Sequence, residues 1–251
     1  MQHAYGKTSL TERLGDCKFQ ISPGAFFQVN TAGAEKLYQI VVDKVREVSK
    51  DPKNTLLFDV CCGTGTIGLT CMKQGAVGHV VGVDISAPAI EDAKKNAELN
   101  GFSSDGCAEG DSNASTVRFV AARAEEVLAR EIKAASKDRN TTEKDQSGAA
   151  KDEGVGESGG NRNLSFVAVV DPARDGLHAD VVRTLRNTTK IRRVVYVSCN
   201  PTGSLVRDAV LLCSPPTKRY FGSPFYVESA RPVDMFPLTS HYELVMTFDR
   251  L

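Results

Sequence analysis

Hydrophobic and polar positions alternate in blocks along the chain, and these blocks predict strands and helices in turn. Short, mostly apolar runs bounded by turn-forming residues are typical of buried strands. They occur at residues 55–60, 80–84, 117–121, 164–170, 194–197, 225–233 and 242–248. Helices are predicted between them, from 31 to about 50, from about 66, from Ser86 to Gly101, from near 123, and over 179–186 and 205–212.

The order of these elements predicts an α/β fold with a doubly wound sheet. Strand–helix alternation implies parallel strands with helices on both faces. The last two strands follow each other without a helix, which suggests an antiparallel strand at one edge. The prediction is a mostly parallel, seven-stranded sheet, in an order that fits a Rossmann-like methyltransferase domain better than a dehydrogenase domain.

Residues 136–163 depart from this pattern. The segment is rich in Lys, Asp, Glu, Gly and Ser and has almost no large apolar side chains. Such a composition cannot bury enough surface to offset the entropy of ordering the chain. We therefore expect a disordered insertion in a surface loop rather than a boundary between domains.

Composition sets broad limits on the protein class. The 31 basic and 31 acidic residues give zero formal net charge, which neither supports nor excludes nucleic acid as a partner. A local basic run at 183–193 is expected mainly to be a solvated surface, with phosphate contacts as the alternative. No apolar run reaches the roughly 20 residues that span a bilayer, so no membrane association is expected. The chain start lacks a secretion signal, and nuclear, cytoplasmic or mitochondrial residence all fit.

The seven cysteines argue against a metal centre. Their number is odd, no C-x-x-C pair occurs, and the adjacent pair Cys61–Cys62 is poorly placed to chelate one ion. We expect reduced and mostly buried thiols in a reducing compartment. Cys199 is the exception, because it stands at the end of a predicted strand.

A glycine-rich loop follows the first strand of the alternating pattern. Gly63, Gly65 and Gly68 fit G-x-G-x-x-G, and Asp84 ends the next strand, about 20 residues on, where an acidic group can bind ribose hydroxyls. This context favours a cofactor that contains adenosine. The residues leave NAD and S-adenosylmethionine both open, although Asp59 at the strand end resembles the S-adenosylmethionine-binding pattern.

Four further residues are candidates for chemistry. Asp171 and Cys199 each follow a predicted strand, on the side where open α/β sheets bind ligands. A thiol at such a position can be exposed and can have a lowered pKa near a helix N-terminus, and its thiolate is a nucleophile. Glu243, after the loop 237–241, is a candidate base. His241 is either a second base, a hydrogen-bonding partner or a surface residue.

Six motifs in this order resemble the RNA uracil-5-methyltransferase family, closest to its eukaryotic tRNA branch. They are FQISPGAFFQVN, DVCCGTGTIG, VVGVDIS, DPARDGL, YVSCNP and PLTSHYEL. The resemblance runs from Phe19 to the C-terminus apart from the insertion. It implies an S-adenosylmethionine-dependent enzyme that methylates C5 of uracil in RNA, with tRNA as the expected partner and the T-loop uridine as the expected target.

The resemblance also implies roles for individual residues. Cys199 matches the nucleophile that adds to C6 of uracil, and Glu243 matches the base that removes the C5 proton. The remaining matches are cofactor-binding positions, two of which carry other side chains in relatives (Cys61 and Thr66): Gln28, Cys61, Thr66, Asp84 and Asp171.

The chain departs from the family pattern in ways that leave alternatives open. Asp84 stands where many members have Glu, and DPAR replaces the commoner DPPR. Family members carry further domains upstream, so residues 1–30 are interpreted as an extension or remnant of an upstream domain and 31–251 as the catalytic domain. The alternatives are ribosomal or another RNA as substrate, an inactive RNA-binding fragment, and an NAD-dependent enzyme as the least favoured.

Overall fold

The computed structural model describes residues 9–103, 115–142 and 164–250, with only the backbone described over 134–142. Nine strands and six helices alternate along these ranges. In chain order they are β1 (Leu10–Leu14), β2 (Cys17–Ile21), α1 (Thr31–Val48), β3 (Thr55–Val60), α2 (Thr66–Lys73), β4 (His79–Asp84), α3 (Ala87–Leu99), β5 (Thr116–Ala121), α4 (Ala124–Thr142), β6 (Ser165–Val170), α5 (Ala179–Asn187), β7 (Ile191–Ser198), α6 (Ser204–Cys213), β8 (Phe225–Val233) and β9 (Glu243–Arg250).

Seven of the strands form one sheet in the order β5-β4-β3-β6-β7-β9-β8. The first five are parallel, and β9 pairs antiparallel with both β7 and β8. The predicted fold class is confirmed, with the antiparallel pair at one edge. In detail, the antiparallel strand β9 lies one place inside that edge, and β8 forms the edge itself.

Apolar side chains cover both faces of this sheet. One core cluster joins the sheet to α1, α2 and α3, and a second joins it to α4, α5 and α6. This division is what a doubly wound arrangement produces. Right-handed crossovers that progress in one direction along the sheet place their helices on one face, and those that progress in the other direction place theirs on the opposite face. The helix boundaries agree with the predicted ones to within a few residues, and Ser86 caps α3 as expected.

An N-terminal hairpin, β1–β2, adds a layer that the sequence did not predict. The two strands pair antiparallel through a turn in which Gly15 has a φ of 55°. Leu14, Cys17 and Phe19 are buried in the same core cluster as α1, α2 and α3. The hairpin therefore packs as part of the domain core.

Helix α4 extends to Thr142, seven residues into the segment 136–163 for which disorder was predicted. The rest of that prediction, residues 143–163, lies outside the described residues. None of the described helices is both long and apolar enough to cross a membrane.

The basic run at 183–193 does not form a continuous surface. Arg186 and Arg193 are buried, and Arg183 pairs with Asp180 at 2.9 Å. Arg192 remains exposed on β7. The expectation of one solvated basic face is therefore wrong for the two buried arginines, which bond within the fold instead.

Candidate active site

The predicted site residues meet at one end of the sheet, where the parallel strands terminate. Asp59 lies near the end of β3 and Asp84 ends β4, while Asp171 and Cys199 directly follow β6 and β7. Because these strands are parallel, their carboxyl ends lie at the same end of the sheet. Strand β9 runs in the opposite direction, so its first residue, Glu243, lies at this end too.

The glycine-rich loop between β3 and α2 has a backbone that few side chains tolerate. Gly63 and Gly65 have φ values of 52° and 81°, and Cys61 adopts 61° although it is not a glycine. A Cβ at Gly65 would lie 2.7 Å from the Phe119 ring, whereas one at Gly63 would meet nothing within 4 Å. The loop is therefore packed tightly on its inner side and open at Gly63, where a ligand can approach the backbone.

Two carboxylates hold this loop. The backbone N–H of Gly68 donates to Asp59 Oδ2 at 2.8 Å, and that of Gly63 donates to Asp84 Oδ2 at 3.0 Å. Asp84 Oδ1 accepts from the N–H of Ser86 at 2.9 Å, which fixes the carboxylate at the start of α3. Both acids thus shape the loop, and Asp84 is half-exposed, so its remaining lone pairs can accept from ribose hydroxyls.

Strand register places Cys199 beside Glu243. The last pair between β7 and β9 is Ser198 with Leu244, and Cys199 follows Ser198 while Glu243 precedes Leu244. Both residues therefore stand at the same end of this strand pair, close enough for the Glu243 charge to raise the pKa of the Cys199 thiol. The predicted nucleophile and base are therefore neighbours, although 44 residues separate them in sequence.

Burial and mutual repulsion raise the pKa of the carboxyl groups at this end of the sheet. Desolvation raises the pKa of Asp59 to about 7, with a further contribution from Asp84. It raises the pKa of Asp171 to about 8, with Glu243 and Asp59 adding to the effect. The pKa of Glu243 is also raised by burial, and the Arg174 guanidinium opposes that shift. Burial and mutual repulsion therefore disfavour the ionised form of these carboxyl groups. A cationic ligand would favour the ionised form.

The Cys199 thiol does not have the lowered pKa that its position suggested. Burial raises its pKa, and the charges of Glu243 and Asp171 raise it further, while Arg174 lowers it. The side chain is half-buried. In the protein alone, the thiol form is therefore favoured over the thiolate.

The other predicted cofactor residues lie around this centre. Cys61 is half-buried, and burial together with Asp84 and Asp171 raises its pKa to about 12. Thr66 begins α2. Gln28 is buried in the loop before α1. Asn30 ties this loop to the segment ahead of β9, because its Nδ2 donates to the Met235 carbonyl at 3.1 Å.

Tyr38 is a site residue that the sequence analysis missed. It is 4% exposed on α1, beside the Thr66 side chain. Burial raises its pKa, and the nearby charges of Asp171, Asp59 and Glu243 raise it further. The sequence offered one indication, a tyrosine among the apolar residues of the predicted first helix.

The carboxylate groups of the site fit a ligand that carries ribose hydroxyls, which donate hydrogen bonds, and a positive charge. Within the described part of the chain, Asp59 Oδ1 and Glu243 Oε2 are buried without a hydrogen-bond partner. Unpartnered buried carboxylate oxygens are costly and call for a donor or a cation. A sulfonium cofactor containing adenosine meets this need better than a dinucleotide, whose pyrophosphate would add negative charge to four carboxylates.

One cluster of metal-binding side chain types lies elsewhere. Glu125, His178 and Asp180 have ligand atoms within 4.8 Å of one another. Glu125 pairs with Arg123 at 3.1 Å and Asp180 pairs with Arg183 at 2.9 Å. These arginines compensate both carboxylates, so the cluster is explained as a network of surface ion pairs.

Comparison with known proteins agrees with this geometry. Residues 51–153 match a family described as a methyltransferase domain. The chain is 39% identical to tRNA (uracil-5-)-methyltransferase homolog B of Mus musculus, covering 99% of this chain and 42% of that protein. It is 34% identical to the Mus musculus homolog A, covering 34% of it. The chain therefore spans less than half the length of these curated relatives.

A solved structure shows the same architecture. The crystal structure of the Pyrococcus abyssi tRNA (uracil-54, C5)-methyltransferase in complex with S-adenosyl-L-homocysteine matches with a TM-score of 0.62 and 29% identity, over 97% of this chain and 44% of that one. The fold is thus that of S-adenosylmethionine-dependent methyltransferases. In its sequence and its fold together, the chain is similar to RNA uracil-5-methyltransferases over almost its whole length.

Proposed function

We propose that the chain is the catalytic domain of a tRNA (uracil-5-)-methyltransferase, which transfers a methyl group from S-adenosylmethionine to C5 of the T-loop uridine. The observation that carries the proposal is that Cys199 and Glu243 stand at the same end of the β7–β9 pair, where the charges of Glu243 and Asp171 act on the Cys199 thiol. The relatives' names support the same substrate. A thiol and a carboxyl side by side are the two groups that methylation at C5 of a uracil requires.

S-adenosylmethionine, when bound, supplies the methyl group on a sulfonium. The residues that would hold it are the glycine-rich loop, Asp84 toward the ribose, and Asp59 and Asp171 near the positive charge. Gln28, Cys61 and Thr66 complete the proposed binding region. The raised pKa values of Asp59 and Asp171 show that these carboxylates gain from a neighbouring cation.

Cys199 and Glu243 divide the chemistry between them. The Cys199 thiolate adds to C6 of the uracil, which forms a C–S bond and places electron density on C5. C5 then takes the methyl group, and the Glu243 carboxylate removes the proton left on C5. Elimination of the Cys199 thiolate restores the C5–C6 double bond. A carboxyl with a raised pKa suits proton removal, because its driving force grows with its basicity.

A trapping assay tests the proposal. Fluorine at C5 blocks the final proton removal, so tRNA substituted with 5-fluorouridine should form a denaturant-resistant adduct with the protein in the presence of S-adenosylmethionine. We expect the adduct with the wild type and with Cys213→Ala, a half-buried thiol outside the site, and none with Cys199→Ala.

Two results would contradict the proposal. An adduct that persists in Cys199→Ala excludes this nucleophile. Absence of any adduct, although S-adenosylmethionine binds, contradicts the proposed activity and favours either a domain that cannot engage RNA or an inactive RNA-binding fragment. Mapping of the methylated nucleotide distinguishes the T-loop uridine of tRNA from a uridine in ribosomal or another RNA.

A further inference from the structure

Helix α3 presents a row of polar side chains to the edge of strand β2. Asp92, Asn96 and Asn100 are spaced four residues apart and lie on one face of the helix. They bond to alternate residues of the strand, running in the opposite direction: Ser22, Gln20 and Lys18. Four helical residues rise about 6 Å and two strand residues about 6.7 Å, so the two repeats match over this length.

The outer two members of the row serve the hairpin. Asp92 accepts from the backbone N–H and the hydroxyl of Ser22 at 3.2 and 2.7 Å. Asn100 accepts from the Lys18 N–H at 2.9 Å and donates to the Lys18 carbonyl at 2.7 Å. These side chains take the place of a neighbouring strand along the edge of β2.

Asn96 differs because its amide joins the hairpin to a segment outside α3, whereas the second bond of Asn100 Nδ2 goes to the Asn96 carbonyl at 2.7 Å, within the same helix. Asn96 Oδ1 accepts from the Gln20 N–H at 2.7 Å, and its Nδ2 donates to the Thr64 carbonyl at 3.1 Å. The side chain is fully buried. Thr64 lies between Gly63 and Gly65, at the centre of the glycine-rich loop, so Asn96 joins the hairpin to that loop directly.

The bond to Thr64 completes the fixation of the loop. Asp84 holds the N–H of Gly63, Asp59 holds that of Gly68, and the Gly65 N–H donates to the Cys62 carbonyl at 2.8 Å. Only Asn96 among these contacts restrains a carbonyl of the loop from the side of α3. Rotation of the peptide plane that carries the Thr64 carbonyl would change ψ of Thr64 and φ of Gly65, and with them the path of the loop into α2.

We propose that Asn96 is a positioning residue for the cofactor, acting through the Thr64 carbonyl, and that the β1–β2 hairpin contributes to cofactor binding through it. The inference rests on the proposed function, because it requires the glycine-rich loop to bind S-adenosylmethionine. It assigns to the hairpin a role beyond packing.

The test compares Asn96→Asp with Asn100→Asp, a matched change on the same helix and the same face. Each variant keeps the acceptor toward β2 and loses an amide donor, but only the first loses the donor to the loop. Calorimetric titration with S-adenosylhomocysteine gives the affinity, and thermal unfolding gives the stability. We expect both variants to unfold at lower temperature, with affinity about tenfold weaker for Asn96→Asp and within about twofold of the wild type for Asn100→Asp.

A pH series adds a readout that a purely structural role would not change. At lower pH the introduced carboxyl becomes protonated and can donate to Thr64 again, so the affinity of Asn96→Asp should recover relative to the wild type. Equal affinity losses in the two variants would overturn the inference while leaving the proposed function intact. Wild-type protein that fails to bind S-adenosylhomocysteine would overturn both. If the buried charge prevents folding, the pair Asn96→Ser and Asn100→Ser repeats the comparison without it.

Discussion

At the scale of single residues, the reactivity of Cys199 depends on charges that the cofactor would change. Glu243 and Asp171 raise the pKa of the thiol, so the protein alone disfavours the reactive thiolate. A sulfonium near these carboxylates would offset their charge and lower the pKa of the thiol. Under the proposed function, activation of the nucleophile would therefore depend on the presence of the methyl donor.

Alkylation of Cys199 by iodoacetamide should reveal this link. Without ligand, the rate at neutral pH should be low and should rise with pH toward and above the ordinary thiol pKa of about 8.5. At neutral pH we expect the rate to be about tenfold higher with S-adenosylmethionine than with S-adenosylhomocysteine, which lacks the sulfonium charge that would lower the pKa of the thiol. Mass spectrometry of the labelled peptides gives the rate for each cysteine.

Cys213 provides the internal control, because its thiol pKa is also raised by burial but its charged neighbour is Arg186. Its labelling should respond equally to the two ligands. Equal rates at Cys199 with both ligands would show that the sulfonium does not act on this thiol.

At the scale of secondary-structure elements, a buried ion-pair network fastens α1 to the sheet. Arg193 of β7 bonds to both oxygens of Asp249 on β9 at 2.6 and 2.7 Å. It also donates to Glu47 and to the Lys44 carbonyl of α1, each at 2.7 Å. One guanidinium thus connects three elements, two of which, β7 and β9, carry the proposed catalytic groups.

Substitution of Arg193 by Lys should destabilise the fold despite the retained charge. An ammonium cannot reproduce the planar fork that bonds Asp249 twice while it also reaches Glu47 and the Lys44 carbonyl, so some of these contacts are lost around a buried position. We expect the free energy of unfolding in urea to fall by roughly 1–3 kcal/mol. Arg192→Lys, the same change at the exposed neighbouring position, should shift it by less than about 0.5 kcal/mol. Equal effects of the two changes would contradict this role for Arg193.

The elements of the sheet were largely predictable, because their apolar runs are local signals. The bounds of β3 and β8 agree with the predicted segments at both ends. The β1–β2 hairpin was missed, since four of the five residues of β1 are exposed and β2 is held by side chains of α3 that lie 70 to 82 residues away. No local pattern reports such a contact.

The site was predictable only in part, for the same reason. Glycine spacing and strand ends identified the loop, Asp84 and Asp171. The pairing of Cys199 with Glu243 depends on β9 lying between β7 and β8, a topology that a list of strands does not contain. The expected thiol pKa was wrong in sign because the carboxylates around Cys199 come from other strands.

At the scale of the whole molecule, the buried acidic residues at the carboxyl ends of the strands make the stability of the fold depend on pH. The pKa of Asp59 is raised from 3.8 to about 7 in the folded protein, and that of Asp171 to about 8. A group whose folded-state pKa is raised stabilises the fold below its unfolded pKa, and this contribution is lost as pH rises through the folded pKa. The window of loss therefore runs from about pH 4 to pH 8.

Asp59→Asn should remove part of this dependence. We expect the variant to match the wild type near pH 4 and to exceed its free energy of unfolding at pH 8, since Asp59 contributes at most about 1.4 kcal/mol for each pH unit within the window. Asp16→Asn, at an exposed position of the hairpin turn, should leave the wild-type dependence unchanged. Denaturant titrations across the pH range measure it. Parallel curves for the wild type and Asp59→Asn would exclude Asp59 as a source.

The position of β9 also constrains the order in which the protein can be completed during synthesis. Strand β8 leaves the ribosome before β9, yet in the sheet it pairs only with β9. A nascent chain can thus assemble the five parallel strands and the glycine-rich loop while β8 still lacks its neighbour. Because Glu243 is the first residue of β9, the proposed base joins the proposed nucleophile, Cys199, only when β9 enters the sheet. Under the proposed function, the cofactor-binding loop can therefore form before the two catalytic groups meet.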